Sequence, residues 1–461
     1  MQPVEERTGL TGVLQSIVDI IKKLYRWIVT GLERTVYMGI QYTFPKRFVS
    51  PLAYLGVLTG ITFLVLGITG GLLMIYYTPS LAGCGSISCA FLSVERINDT
   101  VPSGWLLRNI HYTASNAMVL LAVLHMYYQY FSGRFKIKNE ILWVTGIILG
   151  IVTGGEAYTG YDLLFNQRSG LAIEIGSSLT NASPIIGTSL RLSTFGSGFT
   201  DFILRLYSAH VFILPMFMLI LVFIHFPRYL VFDLPVISTV VGALFTIAAF
   251  FPVQLGIPYN PSNGQITVPE WYVNALYALL RTEFDKFVMG GLMPALFFLM
   301  AAVIPFVDTS KKLNWKDRPF FTALGITSIA QVFITTAWGF YVNPDTTLPT
   351  LQRLFVSPVL YFSSILGVTA LCFIITYAFL RYLKAKERVR KATAPSGPLL
   401  SRKWVFTLFM LLILAQVAIV GLALLAAETN LRVMTLFDTG AVLITFGILA
   451  HLYRYSQTLP F

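Results

Sequence analysis

"NIHYTASNAMVLLAVLHMYY", Asn109 to Tyr128, sets two histidines fourteen residues apart on an apolar run long enough to cross a bilayer. Polar groups at that depth are costly and need partners. On a helix, fourteen residues turn through about 1400°, return to within about 40° of the same face and rise about 21 Å. His111 and His125 then stand near opposite faces of a hydrocarbon core about 30 Å thick. A second run carries His210 and His225, fifteen apart, which lands about 60° round and about 22 Å away. One span lies between the two runs, so they point the same way and His111 matches His210 in depth, as His125 matches His225. Two bis-imidazole sites stacked across a membrane follow, the ligand set of two six-coordinate haems. The competing readings are core histidines bonded to neighbouring helices, and zinc, for which no Cys, Asp or Glu lies beside them to complete a shell.

The rest of the chain supports a membrane setting. Its 461 residues are 56% hydrophobic and only 12% charged. Apolar runs predict ten spans, near 51–77, 105–131, 141–163, 203–226, 235–256, 287–307, 319–342, 357–383, 404–427 and 433–455. The fold class expected is therefore an all-α integral membrane protein. Before them, "LTGVLQSIVDIIKKLYRWIVTGLERTV" mixes Lys22, Lys23, Arg26 and Arg34 with Leu14, Ile17, Ile21 and Leu24 at helical spacing, as an amphipathic surface helix does. It has neither the short apolar core and cleavage site of a signal peptide nor the acid-poor start of a transit peptide.

The net charge of +12 could suggest nucleic acid, but most of the 33 Lys and Arg lie in the N-terminus, alternate loops, a 381–403 linker and the C-terminal tail. That distribution is a topology signal, and it puts both termini in the cytoplasm. No nucleic-acid partner is expected. Cys84 and Cys89, in "GCGSISC", then face the oxidising side, where a disulfide closing a tight loop competes with a two-Cys metal site.

Glycines share the histidine spacing. Gly56 and Gly70 lie fourteen apart on the first span, and Gly146 and Gly160 fourteen apart on the third. A macrocycle wedged between helices needs positions without a Cβ, although small residues also serve ordinary membrane helix packing. Arg108 precedes His111 by three residues and Arg205 precedes His210 by five, where guanidinium groups could pair with haem propionates or simply snorkel.

In order along the chain, the paired histidines, the glycine pairs, "YTGY" at 158–161, "HVFILP" at 210–215, "PEWY" at 269–272 and "VDTSKK" at 307–312 resemble the cytochrome b subunit of prokaryotic quinol:cytochrome c oxidoreductases and their photosynthetic relatives. The likeness covers roughly 45–392. It implies a four-helix dihaem bundle, with His111 and His210 on an outer, lower-potential haem and His125 and His225 on an inner one. It also implies two non-covalent b-type haems, with quinol oxidised at the outer face. Glu270 would take a proton from quinol, with Tyr272 and Tyr161 lining the site; a carboxylate suits because a proton must leave with each electron. One electron would pass to a Rieske-type iron–sulfur protein and onward to further cytochrome or oxidase subunits. The other would cross both haems to an inner quinone. A homodimeric complex in the plasma membrane is implied as well.

Some positions depart from that pattern. Leu164 and Phe165 stand where the family usually has Pro and Trp, Leu230 where respiratory members often have His, and Tyr54 where the photosynthetic branch attaches a haem through Cys. Arg228 and Asp233 are the groups near the expected inner quinone site. The domain reading is 1–49 surface segment, 50–231 haem bundle, 232–392 PEWY half, and 393–461 a basic linker with two further helices packing on lipid or a partner subunit. Two rival functions are a dihaem quinone-reactive anchor without bifurcation, and a haem-free transporter, for which the expected internal repeat is not evident.

Overall fold

The computed structural model describes residues 10–36, 39–42, 51–136, 140–197, 199–226, 229–387, 401–429 and 431–456. The chain order is α1 (Leu10–Val36), β1 (Gly39–Tyr42), α2 (Leu55–Met74), α3 (Cys89–Asp99), α4 (Gly104–Phe131), α5 (Glu140–Asp162), α6 (Gln167–Asn181), α7 (Gly187–Phe195), α8 (Phe199–Ser208) and α9 (Leu214–His225). The second half holds β2 (Tyr229–Phe232), α10 (Leu234–Phe250), α11 (Asn274–Leu280), α12 (Met293–Val307), α13 (Pro319–Phe340), α14 (Thr350–Leu354), α15 (Pro358–Glu387), α16 (Arg402–Glu428) and α17 (Arg432–Ser456). The all-helical expectation holds, with one addition: β1 and β2 pair in parallel, Gly39 opposite Tyr229.

Among the described residues eight helical segments are long and apolar enough to cross a membrane, and α10, apolar but 17 residues long, is shorter. α4 has the length, 28 residues, and is more polar because it carries Arg108, Asn109, His111, Asn116 and His125. These account for the ten expected spans. α10 stops at Phe250, short of the expected 256, because Pro252 turns the residue before it away from helical geometry. On α1, Ile17, Ile20, Ile21 and Leu24 are exposed beside Lys22, Lys23 and Arg26. The side chains of Leu14 and Arg34 lie outside the described residues, as does Arg228.

Between α2 and α4 the chain closes a tight loop with a Cys84–Cys89 disulfide, so the cysteines form a bridge. Ser88 then caps α3, its hydroxyl accepting from the Phe91 N–H at 3.2 Å.

The span holding His210 is not a regular α-helix. Ala209–Ile213 forms a π turn between α8 and α9. A π turn takes up one extra residue, so the fifteen-residue spacing is brought back toward the phase of a fourteen-residue one and the expected 60° offset is largely removed. Pro215 supplies the cause: it has no N–H for the carbonyl four residues back, and its ring crowds that carbonyl. The same arrangement recurs at Val288–Leu292, ahead of Pro294.

The last two helices were expected on lipid or a partner subunit. α17 instead packs along α10 of its own chain: a Cβ on Gly440 would strike Thr246, and one on Gly447 would strike Thr239. Arg454 on α17 meets the buried Asp233 at 2.7 Å, and Asp233 also caps α10. Asp233 is thus engaged in a helix–helix tie. α16 lies on α17 and exposes Phe406, Leu411, Leu414 and Val417 outward.

Candidate functional site

Each of the four paired histidines has one glycine seat on a facing helix. A Cβ added to Gly56 would come within 2.9 Å of the His125 ring, one on Gly70 within 3.0 Å of His111, and one on Gly146 within 2.9 Å of His225; Gly160 meets His210 closer still. A Cβ at any of the four positions would thus meet an imidazole, which gives glycine a further reason to stand there. The pairing also makes α2 antiparallel to α4, and α5 antiparallel to the α8–α9 span.

The seats bring the rings together two by two. His111 and His210 have ring centres 6.4 Å apart and planes crossed at 81°; His125 and His225 are 6.2 Å apart and crossed at 87°. A metal–imidazole bond of about 2 Å, with the distance from nitrogen to ring centre added on each side, sets two trans ligands about 6 Å apart. Both pairs have that separation, and the depth matching read from the sequence is observed. Among the described residues no group of three or more His, Cys, Asp or Glu is placed to hold a metal ion. Each pair would offer two imidazole nitrogens to an iron bound between them, the donor set a haem would use.

Outward-facing ring nitrogens are held from behind. Nδ1 of His111 lies 2.9 Å from Thr69 Oγ1, that of His225 3.3 Å from Thr145 Oγ1, and that of His210 3.2 Å from Thr159 Oγ1. Each of these threonines directly precedes a seat glycine, so a Thr-Gly dipeptide marks three of the four seats in the sequence. Holding Nδ1 fixes tautomer and ring angle, leaving Nε2 for a metal.

Arg108 is buried and donates to Asn98 Oδ1 at 3.2 Å and to the Val253 carbonyl at 2.9 Å. Its Nε and Nη2 are buried with no hydrogen-bond partner among the described residues. Orphaned guanidinium donors three residues from His111 fit a carboxylate on a bound group, as haem propionates provide. Arg205 is placed differently: it is exposed and donates to the Ser193 carbonyl at 2.7 Å, toward α7.

At the same end of the bundle sits the PEWY turn. Glu270 is clamped on both oxygens, by Arg168 Nη1 at 2.6 Å and by the Tyr112 hydroxyl, which donates to Oε2 at 3.4 Å. Trp271 Nε1 donates to Asn116 Oδ1 at 2.7 Å, and the Tyr272 hydroxyl donates to the Ala157 carbonyl at 3.2 Å. Burial, then the Glu270 carboxylate, push the Tyr272 hydroxyl well above its ordinary value, which keeps it a donor. Tyr161 is buried, its hydroxyl without a hydrogen-bond partner among the described residues. Arg168 and Tyr112 were not singled out from sequence; Arg168 follows "FNQ", where only the fold shows that α6 doubles back over the PEWY turn. Phe165, standing where the family usually has Trp, is buried against Phe202 and Tyr259 at ring-centre distances of 5.8 and 5.3 Å.

A cavity of about 2240 Å³ opens between the two halves of the chain. Its walls include His125, His225, Gly56 and Gly146 at one end and Arg168 and Tyr272 at the other. Its volume exceeds that of an ordinary small-molecule site, about 300–1,000 Å³.

Comparison with known proteins agrees with this geometry. Residues 41–230 match the family profile described as Cytochrome b/b6/petB, and residues 261–362 that of Cytochrome b(C-terminal)/b6/petD. A cytochrome bc complex cytochrome b subunit of Chlorobaculum thiosulfatiphilum is 29% identical over 330 residues, 63% of this chain and 74% of that one. Cytochrome b6 of Porphyra purpurea is 33% identical over 210 residues, 45% of this chain and 94% of that one. A chain of a hyperthermophilic respiratory Complex III superposes with a TM-score of 0.53 over 74% of this chain and 94% of its own, at 24% identity, a likeness of fold. With its histidine seats, its PEWY turn and both profiles in order, the chain belongs to the cytochrome b/b6 family, as a haem-binding, multi-pass membrane subunit of a bc-type oxidoreductase complex.

Proposed function

We propose that the chain holds two non-covalent b-type haems, one between each imidazole pair, and that its complex oxidises quinol beside Glu270. The observation that carries this reading is the pair of crossed imidazole couples, 6.4 and 6.2 Å between ring centres, each ring on its own glycine seat. Bound haem would supply reversible one-electron chemistry at each level. The chain's own residues do the rest. Glycines leave room for the ligand rings, threonines fix their angle, and Arg108 offers donors to a propionate.

Quinol oxidation releases two electrons and two protons. Glu270 is the acceptor proposed for a proton, and Tyr161 and Tyr272 shape the pocket around the quinol ring. One electron leaves to a Rieske-type iron–sulfur protein on the PEWY side and on to further cytochrome or oxidase subunits, and the other reaches a quinone at the far side. The setting proposed is the plasma membrane, with both termini cytoplasmic and the complex a homodimer.

Reduced-minus-oxidised spectra with pyridine haemochrome quantitation test the haem count: two low-spin haems per polypeptide are expected, and His210→Leu should retain one while the protein still inserts. Unchanged spectra in His210→Leu would remove the ligand assignment. Glu270→Gln should slow quinol oxidation by about a hundredfold or more with both haems present, the usual scale for loss of a general base. Full turnover in that variant counts against the proton role.

A further inference from the structure

We infer that Arg168 is a quinol-binding residue, whose guanidinium donors on the cavity wall hold the quinol oxygen while Glu270 takes that oxygen's proton. The inference rests on the quinol oxidation proposed above. It starts from residues 166–169, where α6 begins. Asn166 is buried and caps the helix, its Oδ1 accepting from the Ser169 N–H at 2.9 Å, and its Nδ2 donates to the Leu255 carbonyl at 2.7 Å. Gln167 is buried too: its N–H donates to the Ile257 carbonyl at 2.9 Å and its Oε1 accepts from the Asn260 N–H at 2.9 Å. Ser169 is fully buried. The turn is thereby pinned to the stretch that leads into PEWY. Arg168 alone of the four is exposed, and it lines the cavity with Pro269 and Tyr272.

The Arg168–Glu270 pair presents its cation to that space, with 46% of the Arg168 side chain exposed against 11% of Glu270. A pair with so exposed a partner contributes little to stability. Only Nη1 of the guanidinium is engaged, on Glu270 Oε1 at 2.6 Å; Nε and Nη2 make no hydrogen bond among the described residues. Glu174, the acid that α6 brings to the same wall, is already bonded by the Tyr259 hydroxyl. Open donors on a fixed turn beside a cavity form a preorganised binding group. A carboxylate has about four lone-pair sites, so Glu270 can keep Arg168 and Tyr112 and still accept a quinol hydroxyl. As the O–H bond breaks and its proton passes to Glu270, negative charge develops on the quinol oxygen until the first electron leaves for the Rieske-type acceptor. A guanidinium bonded to that oxygen stabilises it most at that moment.

The test is steady-state oxidation of decylbenzoquinol by the intact complex, with its terminal acceptor kept oxidised and haem content measured alongside. Arg168→Gln should lower kcat/KM about tenfold to a hundredfold with both haems retained, the scale of one hydrogen bond to a charged group. Arg168→Lys keeps the charge, loses the fork and should recover part of that loss. Arg168→Gln combined with Glu270→Gln separates contact with quinol from mere support of Glu270. Contact predicts a raised KM and a further loss beyond Glu270→Gln alone. Absence of that further loss overturns the inference, as does an unchanged kcat/KM in Arg168→Gln. If Arg168→Gln does not assemble, Arg168→Lys decides: its KM should exceed that of the unsubstituted complex, and an equal KM overturns the inference. If the unsubstituted complex oxidises neither decylbenzoquinol nor the naphthoquinol menadiol, it is the quinol reading that fails.

Discussion

Gly160→Val is expected to abolish haem binding at the His111–His210 level while leaving the His125–His225 level filled. The reason is steric. A single Cβ at this position already overlaps the His210 ring, nearer than at any of the other three seats. Neither neighbour can move cheaply, because α5 is fixed by packing and His210 Nδ1 is held by Thr159 and by the Glu156 carbonyl. Valine adds two further methyl groups, and overpacking of a close-packed site costs about 1–3 kcal/mol even where neighbours can adjust. Here the displaced group is the proposed ligand itself, so the cost is expected to appear as lost coordination. Haem per polypeptide should fall from two to one. Gly150→Ala on the same helix, where an added Cβ meets nothing within 4 Å, is the control and should retain both. Two haems in Gly160→Val would show that the seats do not set the ring positions.

This result bears on what the sequence could tell. Fourteen-residue spacing is a statement about helix phase, and phase survives folding because a membrane helix keeps its backbone hydrogen bonds internal. His111, His125 and the four glycines were legible for that reason. The fifteen-residue spacing of His210 and His225 was legible as an anomaly but not as a π turn, since Pro215 permits several local adjustments and only the packing selects one. Groups brought in from elsewhere left no periodic trace. Arg168 reaches Glu270 across 102 residues and Arg454 reaches Asp233 across 221, contacts fixed by tertiary packing alone. Arg108 and Arg205 look equivalent on paper, each a short step before a histidine. They separate in the structure because one is enclosed by Asn98 and Val253 while the other reaches out to Ser193.

Asp308→Asn should be the most damaging single change outside the histidine seats. Asp308, in the "VDTSKK" stretch after α12, has no exposed side-chain surface and meets two cations, Lys136 at 2.5 Å and Arg318 at 2.7 Å. Arg318 also donates to the Tyr130 carbonyl at 2.6 Å and to the Phe131 carbonyl at 3.2 Å, satisfying the end of α4. Lys136 donates to the carbonyls of Ser310 and Lys312. One carboxylate therefore joins the ends of α4, α12 and α13. Removing its charge leaves the buried Arg318 and the half-buried Lys136 facing each other, and breaking a buried pair from one side costs about 3–5 kcal/mol. The expected result is a lowered unfolding midpoint in detergent, with early loss of the haem on the His125–His225 pair, because His125 lies on the α4 turns nearest the network. Replacing all three partners by apolar residues of similar volume should recover most of the loss, since a fully desolvated ionic cluster contributes little net stability compared with good packing. If the single and triple variants were equally unstable, the network would instead owe its importance to the Arg318 hydrogen bonds on the α4 carbonyls, and Arg318→Met alone would reproduce the full effect.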